Sequence, residues 1–127
     1  METRISDGEG GRKSGGLLVW QAKDNYIRFE MPSSSAWEGE VRFEFARSGE
    51  WLYAGRGLLE ADILTLRLER EGDRFTGYVS VDGKDWHRCG WADIPMEDPI
   101  QVGLHAMCAE SPMTSTRFEY FRIYRHK

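Results

Sequence analysis

Residues 64–86 alternate apolar and polar side chains in two successive runs separated by turn chemistry. Leu64, Leu66 and Leu68 interleave with Thr65, Arg67 and Glu69. After Glu71-Gly72-Asp73, Phe75, Gly77, Val79 and Val81 interleave with Thr76, Tyr78 and Ser80. A period of two sends one set to each face of a sheet. Asp82-Gly83 follows, and Asp-Gly beside alternating runs is a strong hairpin signal. The stretch predicts three consecutive strands joined by two turns.

The same grammar extends along the chain. Residues 3–6, 16–21, 26–31, 41–47, 51–54, 87–91, 100–106 and 117–124 read as strands, with no amphipathic helix between them. Many short strands with turns every 8–12 residues imply a sandwich or barrel. The expectation is an all-β antiparallel jelly-roll sandwich of two sheets and about nine strands. Its predicted core is Leu18, Ile27, Phe29, Val41, Phe43, Phe45, Leu64, Leu66, Leu68, Phe75, Val79, Val81, Val102, Leu104, Phe121 and Ile123.

At 127 residues the chain reads as one domain spanning 1–127. A net charge of −4 argues against nucleic acid, which demands a concentrated basic surface. Arg28, Arg42, Arg67, Arg70 and Arg74 are interleaved with acids and read as a solvated face carrying cross-strand ion pairs. No apolar run approaches bilayer length, and the polar, glycine-rich start lacks a signal-peptide core. The expected location is therefore cytoplasmic as written, or extracellular if the domain is excised from a secreted parent. Cys89 and Cys108 make no disulfide framework; they can pair if Trp91 and Ala106 lie on neighbouring strands, and otherwise read as buried free thiols. With His87, His105 and His126 they are too few and too badly spaced for zinc. No cofactor is expected.

Gly15-Gly-Leu-Leu-Val-Trp20 followed by Asp24-Asn-Tyr-Ile-Arg-Phe-Glu30 resembles a strand pair of concanavalin A-like jelly rolls. The likeness is to LamG-like modules and to the C-terminal β-sandwich of family 43 β-xylosidases. The 68–75 hairpin, the 78–86 segment, and 99–104 with 118–121 match in the same order. The resemblance implies the fold, and it leaves calcium open as in laminin-type relatives. Asp24, Asn25 and Asp82 are hard oxygen donors there, each explained equally by turn chemistry. Such domains carry extra strands before the equivalent of residues 3–6. The expectation is either a trimmed domain or a shortened sheet, and a shortened sheet leaves an exposed edge that invites a homodimer or packing on a neighbouring domain.

Three functional readings follow. The first is a non-catalytic carbohydrate-binding or accessory module, since sugars demand flat aromatic surfaces and planar polar groups. Its candidate ligand-binding residues are Tyr26, Arg28, Trp37, Trp51, Tyr53, Arg67, Tyr78 and His105. Arg28, Arg67, Tyr78 and His105 share polar parity and are expected on one solvent-facing surface. Trp20 and Gln21 are candidates of the same kind, but Trp20 and Trp86 end apolar runs and read as core.

The second is a protein-interaction domain of a larger enzyme or signalling protein. The third is a glucanase-type hydrolase, for which two carboxylates about 5–5.5 Å apart are needed. In glucanase relatives a Glu-x-Asp-x-x-Glu strand supplies them. The nearest text here is Glu60, Asp62 and Thr65, so the triad is incomplete and no catalytic residue is assigned. Ser80-Val-Asp-Gly-Lys-Asp-Trp86 resembles a sialidase Asp-box shortened by one residue, which is a structural hairpin. The reading adopted is the binding or accessory module.

Overall fold

The computed structural model describes residues 1–7, 15–32, 39–59, 61–107 and 115–125. These residues form ten strands: β1 (Glu2–Asp7), β2 (Gly15–Ala22), β3 (Asn25–Met31), β4 (Glu40–Arg47), β5 (Glu50–Leu58), β6 (Leu64–Glu71), β7 (Arg74–Ser80), β8 (His87–Asp93), β9 (Gln101–Ala106) and β10 (Thr116–Arg122). They pair antiparallel in two five-stranded sheets, ordered β10-β1-β6-β7-β8 and β5-β4-β3-β2-β9. The chain is an all-β sandwich, with ten strands where the sequence suggests about nine.

Turn chemistry sets the hairpins. Ser48 (φ 54°) and Gly49 (φ 80°) both adopt left-handed backbone, the requirement of the tight turn that suits twisted strands. The β7–β8 connection differs from the expected Asp-Gly turn. Asp82 Oδ1 accepts the backbone N–H of Lys84 and of Asp85, each at 2.8 Å, and the Ser80 hydroxyl at 3.0 Å. These bonds hold the Asp82 carboxyl down at a pKa of about 2. The strand therefore ends at Ser80, and Val81 is exposed rather than in the core.

The core lies between the sheets. Ile27, Phe29, Val41, Phe43, Phe45, Leu64, Leu66, Leu68, Phe75 and Val79 are buried as the alternation predicts. Besides Val81, four expectations fail. In β2 the inward residues are Leu17 and Val19, paired with Phe29 and Ile27, while Leu18 faces outward and is half-buried. The uninterrupted apolar run of residues 17–20 hides its parity. Val102 and Phe121 sit on the edge strands β9 and β10, which have no neighbouring strand on one side among the described residues, and both are partly exposed. Ile123 lies past the end of β10 and is 66% exposed.

The two flanks of the sandwich differ. On one, β5 and β8 meet backbone to backbone at Gly55 and Gly90. A Cβ on Gly90 (φ 90°) would lie 2.4 Å from Ala54 O, so glycine is required there on two counts. On the other flank, β9 and β10 leave an opening. The first strand is not an edge: β1 lies between β10 and β6, so the expected exposed edge at residues 3–6 is absent.

Cys89 is a buried free thiol, pushed up to about pKa 11 by desolvation. Cys108 lies outside the described residues. Trp91 and Ala106 occupy β8 and β9, in different sheets, so the neighbouring-strand geometry that would favour a Cys89–Cys108 bond does not arise.

Candidate functional site

Most outward positions of sheet β5-β4-β3-β2-β9 fall into three rows, with a register shift between Phe43 and Glu44 where β4 meets β5. From β9 to β5 the first row is His105, Gly16, Glu30, Arg42 and Arg56. The second is Gly103, Leu18, Arg28, Glu44 and Tyr53; the third is Gln101, Trp20, Tyr26, Ala46 and Trp51. Strict alternation in β3 puts Ile27, Phe29 and Met31 in the core and Tyr26, Arg28 and Glu30 on this face.

The middle of the face is ionic and, against expectation, largely dry. Glu30, Glu40 and Glu44 are 2%, 4% and 1% exposed. Arg28 Nη2 donates to Glu44 Oε2 at 2.6 Å, and its Nε lies 3.8 Å from Glu30 Oε1. Arg42 Nε donates to Glu40 Oε1 at 2.8 Å, and Arg56 Nη2 donates to the same atom at 2.6 Å. Cross-strand pairing of arginines and acids is as predicted; a solvated face is not. Buried carboxylates persist because arginines pair with them directly.

Aromatic pairs flank this ionic strip. Trp20 stacks on Tyr26 with centroids 5.5 Å apart and planes 15° from parallel. Two strands away Trp51 and Tyr53 contact at 5.0 Å, 51% and 45% exposed. Tyr53 also lies under the guanidinium groups of Arg42 and Arg56. Trp20, which reads as core from its place at the end of an apolar run, is instead 37% exposed on this face.

One corner of the face is incompletely satisfied. Glu30 Oε2 lies 3.2 Å from His105 Nε2 without hydrogen-bonding geometry. Arg28 Nε, both His105 ring nitrogens and Glu30 Oε2 are buried with no hydrogen-bond partner. Among the described residues the remaining such atom is Asn25 Oδ1. Desolvation raises the Glu30 carboxyl to about 7 against the opposing pull of Arg28, with Glu44 adding to the rise. Desolvation, with Arg28 reinforcing it, lowers His105 to about 4. Near neutral pH His105 is a neutral imidazole and Glu30 is close to the midpoint of its titration. The corner can therefore both donate and accept hydrogen bonds.

The expected single surface is split in two. Tyr26, Arg28, Trp51, Tyr53 and His105 share the face just described. Arg67 and Tyr78 lie on the outside of the opposite sheet, in a row Arg122, Glu2, Arg67, Tyr78 and Arg88. There Arg67 donates to Glu2 Oε2 at 2.9 Å and stacks on Trp86 at 3.9 Å, while Tyr120 donates to Glu2 Oε1 at 2.7 Å. Trp37 and Glu60 lie outside the described residues. Thr65 is buried in β6 and Asp62 is exposed. Alternation alone singles out neither Glu30 nor Glu40. Pairing the outward acids of β3 and β4 with their neighbouring arginines is the signal that finds them.

The site and the fold can now be set against known proteins. Residues 12–126 match the DUF1349 family, described as a protein of unknown function. The chain belongs to this family. No sequence among the curated proteins matches it. Among solved structures, a GH43 protein from Bacillus licheniformis is similar at 19% identity and a TM-score of 0.74 over 91% of this chain. The chain spans 25% of that protein's length. A functionally unknown protein from Saccharomyces cerevisiae has 17% identity and a TM-score of 0.72, over 92% of this chain and 62% of its own. The carbohydrate-binding module CBM66 from Bacillus subtilis has 19% identity and a TM-score of 0.55, over 92% of this chain and 68% of its own. This DUF1349 chain shares the sandwich fold of these proteins.

Proposed function

We propose that this chain is a non-catalytic carbohydrate-binding module whose ligand lies on the outer face of sheet β5-β4-β3-β2-β9. The observation that carries the reading is the corner at Glu30, His105 and Arg28. It holds several buried polar atoms without protein partners, beside two aromatic pairs on the same face. Leaving a buried polar group unpaired costs about 1–3 kcal/mol, and a polar ligand recovers part of it when the side chains covering this corner move aside to admit it. Trp51 and Tyr53 offer an exposed aromatic surface to the C–H face of a sugar ring. Likeness in fold to CBM66 and to a segment of a GH43 protein supports the reading as analogy.

The same geometry disfavours Glu30 and Glu44 as a glycosidase pair. Glu44 is held by Arg28 at 2.6 Å and the same guanidinium lies 3.8 Å from Glu30, so a structural ion pair accounts for both carboxylates. A glycan array followed by calorimetry tests the proposal. Binding should weaken at least about tenfold in Trp51→Ala. Absence of any glycan hit, or unchanged affinity in Trp51→Ala, would sink it.

A further inference from the structure

We infer that the open flank of the sandwich holds a second binding site, for an uncharged hydrocarbon group about the size of naphthalene. A cavity of about 350 Å³ lies between the sheets there. Val19, Leu68 and Phe75 form its buried floor, and Ile100 and Val102 form the side next to β9. Ile123 and Tyr124 stand at its mouth, more than half exposed. An apolar cavity of about 150 Å³ already admits benzene, so this one has room for roughly two fused rings.

The rim sets the charge of the occupant. Arg67 lines the cavity, but its guanidinium is taken by Glu2 at 2.9 and 2.8 Å. Arg70 donates to Asp98 Oδ1 at 2.7 Å, Met96 O at 2.9 Å and Gly72 O at 2.8 Å. The Met1 ammonium also lines the cavity and donates to Leu68 O at 2.8 Å, and Glu69 sets a carboxylate on the same rim, so the described rim is balanced by the protein's own acids and carbonyls rather than cationic. A charged occupant would lose its hydration without replacement, whereas an apolar one gains by burial alone. The site is separate from the aromatic face of the same sheet and does not rest on the carbohydrate reading.

The test titrates the full chain with prodan, a neutral naphthalene dye, and with the anionic naphthalene dye ANS. Prodan should bind saturably at one equivalent, with a blue shift and at least tenfold tighter than ANS. Val102→Trp fills the cavity and should weaken prodan at least tenfold, while Trp51→Ala on the other face leaves it unchanged. Ile123→Asp alters a largely exposed residue at the mouth. It should weaken prodan severalfold, and it keeps the test decisive if Val102→Trp does not fold. Failure to saturate, equal ANS affinity, or full prodan binding in either cavity variant overturns the inference. So does dye release as the chain self-associates at rising concentration, which would make the opening an interface between copies.

Discussion

Glu30 and His105 meet across an intervening strand because the residue between them, Gly16, has no side chain. Gly16 pairs with Glu30 on one side and His105 on the other, and the two side chains close to 3.2 Å. A Cβ at Gly16 would lie 2.1 Å from Phe29 O, so the β2–β3 ladder has no space for one. Gly16→Ala should destabilise the fold by more than about 1 kcal/mol, since a close backbone contact has to open. Thermal unfolding measures this; an unchanged midpoint would show that the ladder yields freely.

The Arg28–Glu44 pair should behave as a buried one. Arg28→Met leaves Glu44 with only Arg42, 3.9 Å away, and takes from Glu30 its nearest cation, and should cost about 3 kcal/mol. Adding Glu44→Leu should restore much of that loss, because no uncompensated charge then remains at Glu44. Urea unfolding of both variants reads the difference. A double variant no more stable than Arg28→Met would refute the pairing account.

Glu30 and His105 also make opposite contributions to stability with pH. Glu30 titrates near 7 in the fold, above its ordinary 4.5, so its contribution is full below about 4.5 and is lost as pH rises through about 7. His105 titrates near 4, below its ordinary 6.5, so its contribution is full above about 6.5 and is lost as pH falls through about 4. Between about 4.5 and 6.5 the two slopes oppose and nearly cancel. Removing Glu30 as Glu30→Gln should leave stability rising with pH across that window, by up to about 1.4 kcal/mol per unit relative to the parent. Parallel pH profiles for parent and variant, from denaturant midpoints, would contradict this assignment.

The β5–β8 seam predicts a further loss. Gly90→Ala combines a left-handed backbone position with a 2.4 Å approach to Ala54 O. It should cost more than the about 1 kcal/mol usual for a surface glycine forced from φ > 0. Calorimetric unfolding beside Gly83→Ala, a positive-φ site with open space, separates the two causes. Equal losses would mean that the seam contributes nothing.

Strand content and most of the core were legible wherever alternation was strict, as in Tyr26 to Met31, Val41 to Phe45 and Leu64 to Leu68. Parity was illegible at Leu17 to Trp20, where every residue is apolar, and so Leu18 and Trp20 exchange faces with the expectation. The division of Arg28 and His105 from Arg67 and Tyr78 depends on which strands share a sheet. That order is set by nonlocal pairing, with β1 and β6 joining β10 and β7, and local alternation carries no trace of it. The Glu30–His105 contact spans 75 positions of chain and a glycine that looks like a turn residue in the text. Edge effects decided the rest: Val102 and Phe121 have apolar parity but lack a neighbour on one side.

The most direct test of the carbohydrate account maps where a glycan binds. Amide chemical shifts should be followed while the tightest glycan from the array is titrated into the isotopically labelled chain. The account predicts shifts centred on Tyr26, Arg28, Trp51, Tyr53 and His105, with Arg67, Tyr78 and Trp86 unmoved. Shifts centred instead on Arg67, Tyr78 and Trp86, or no saturable shifts with any glycan, would contradict it.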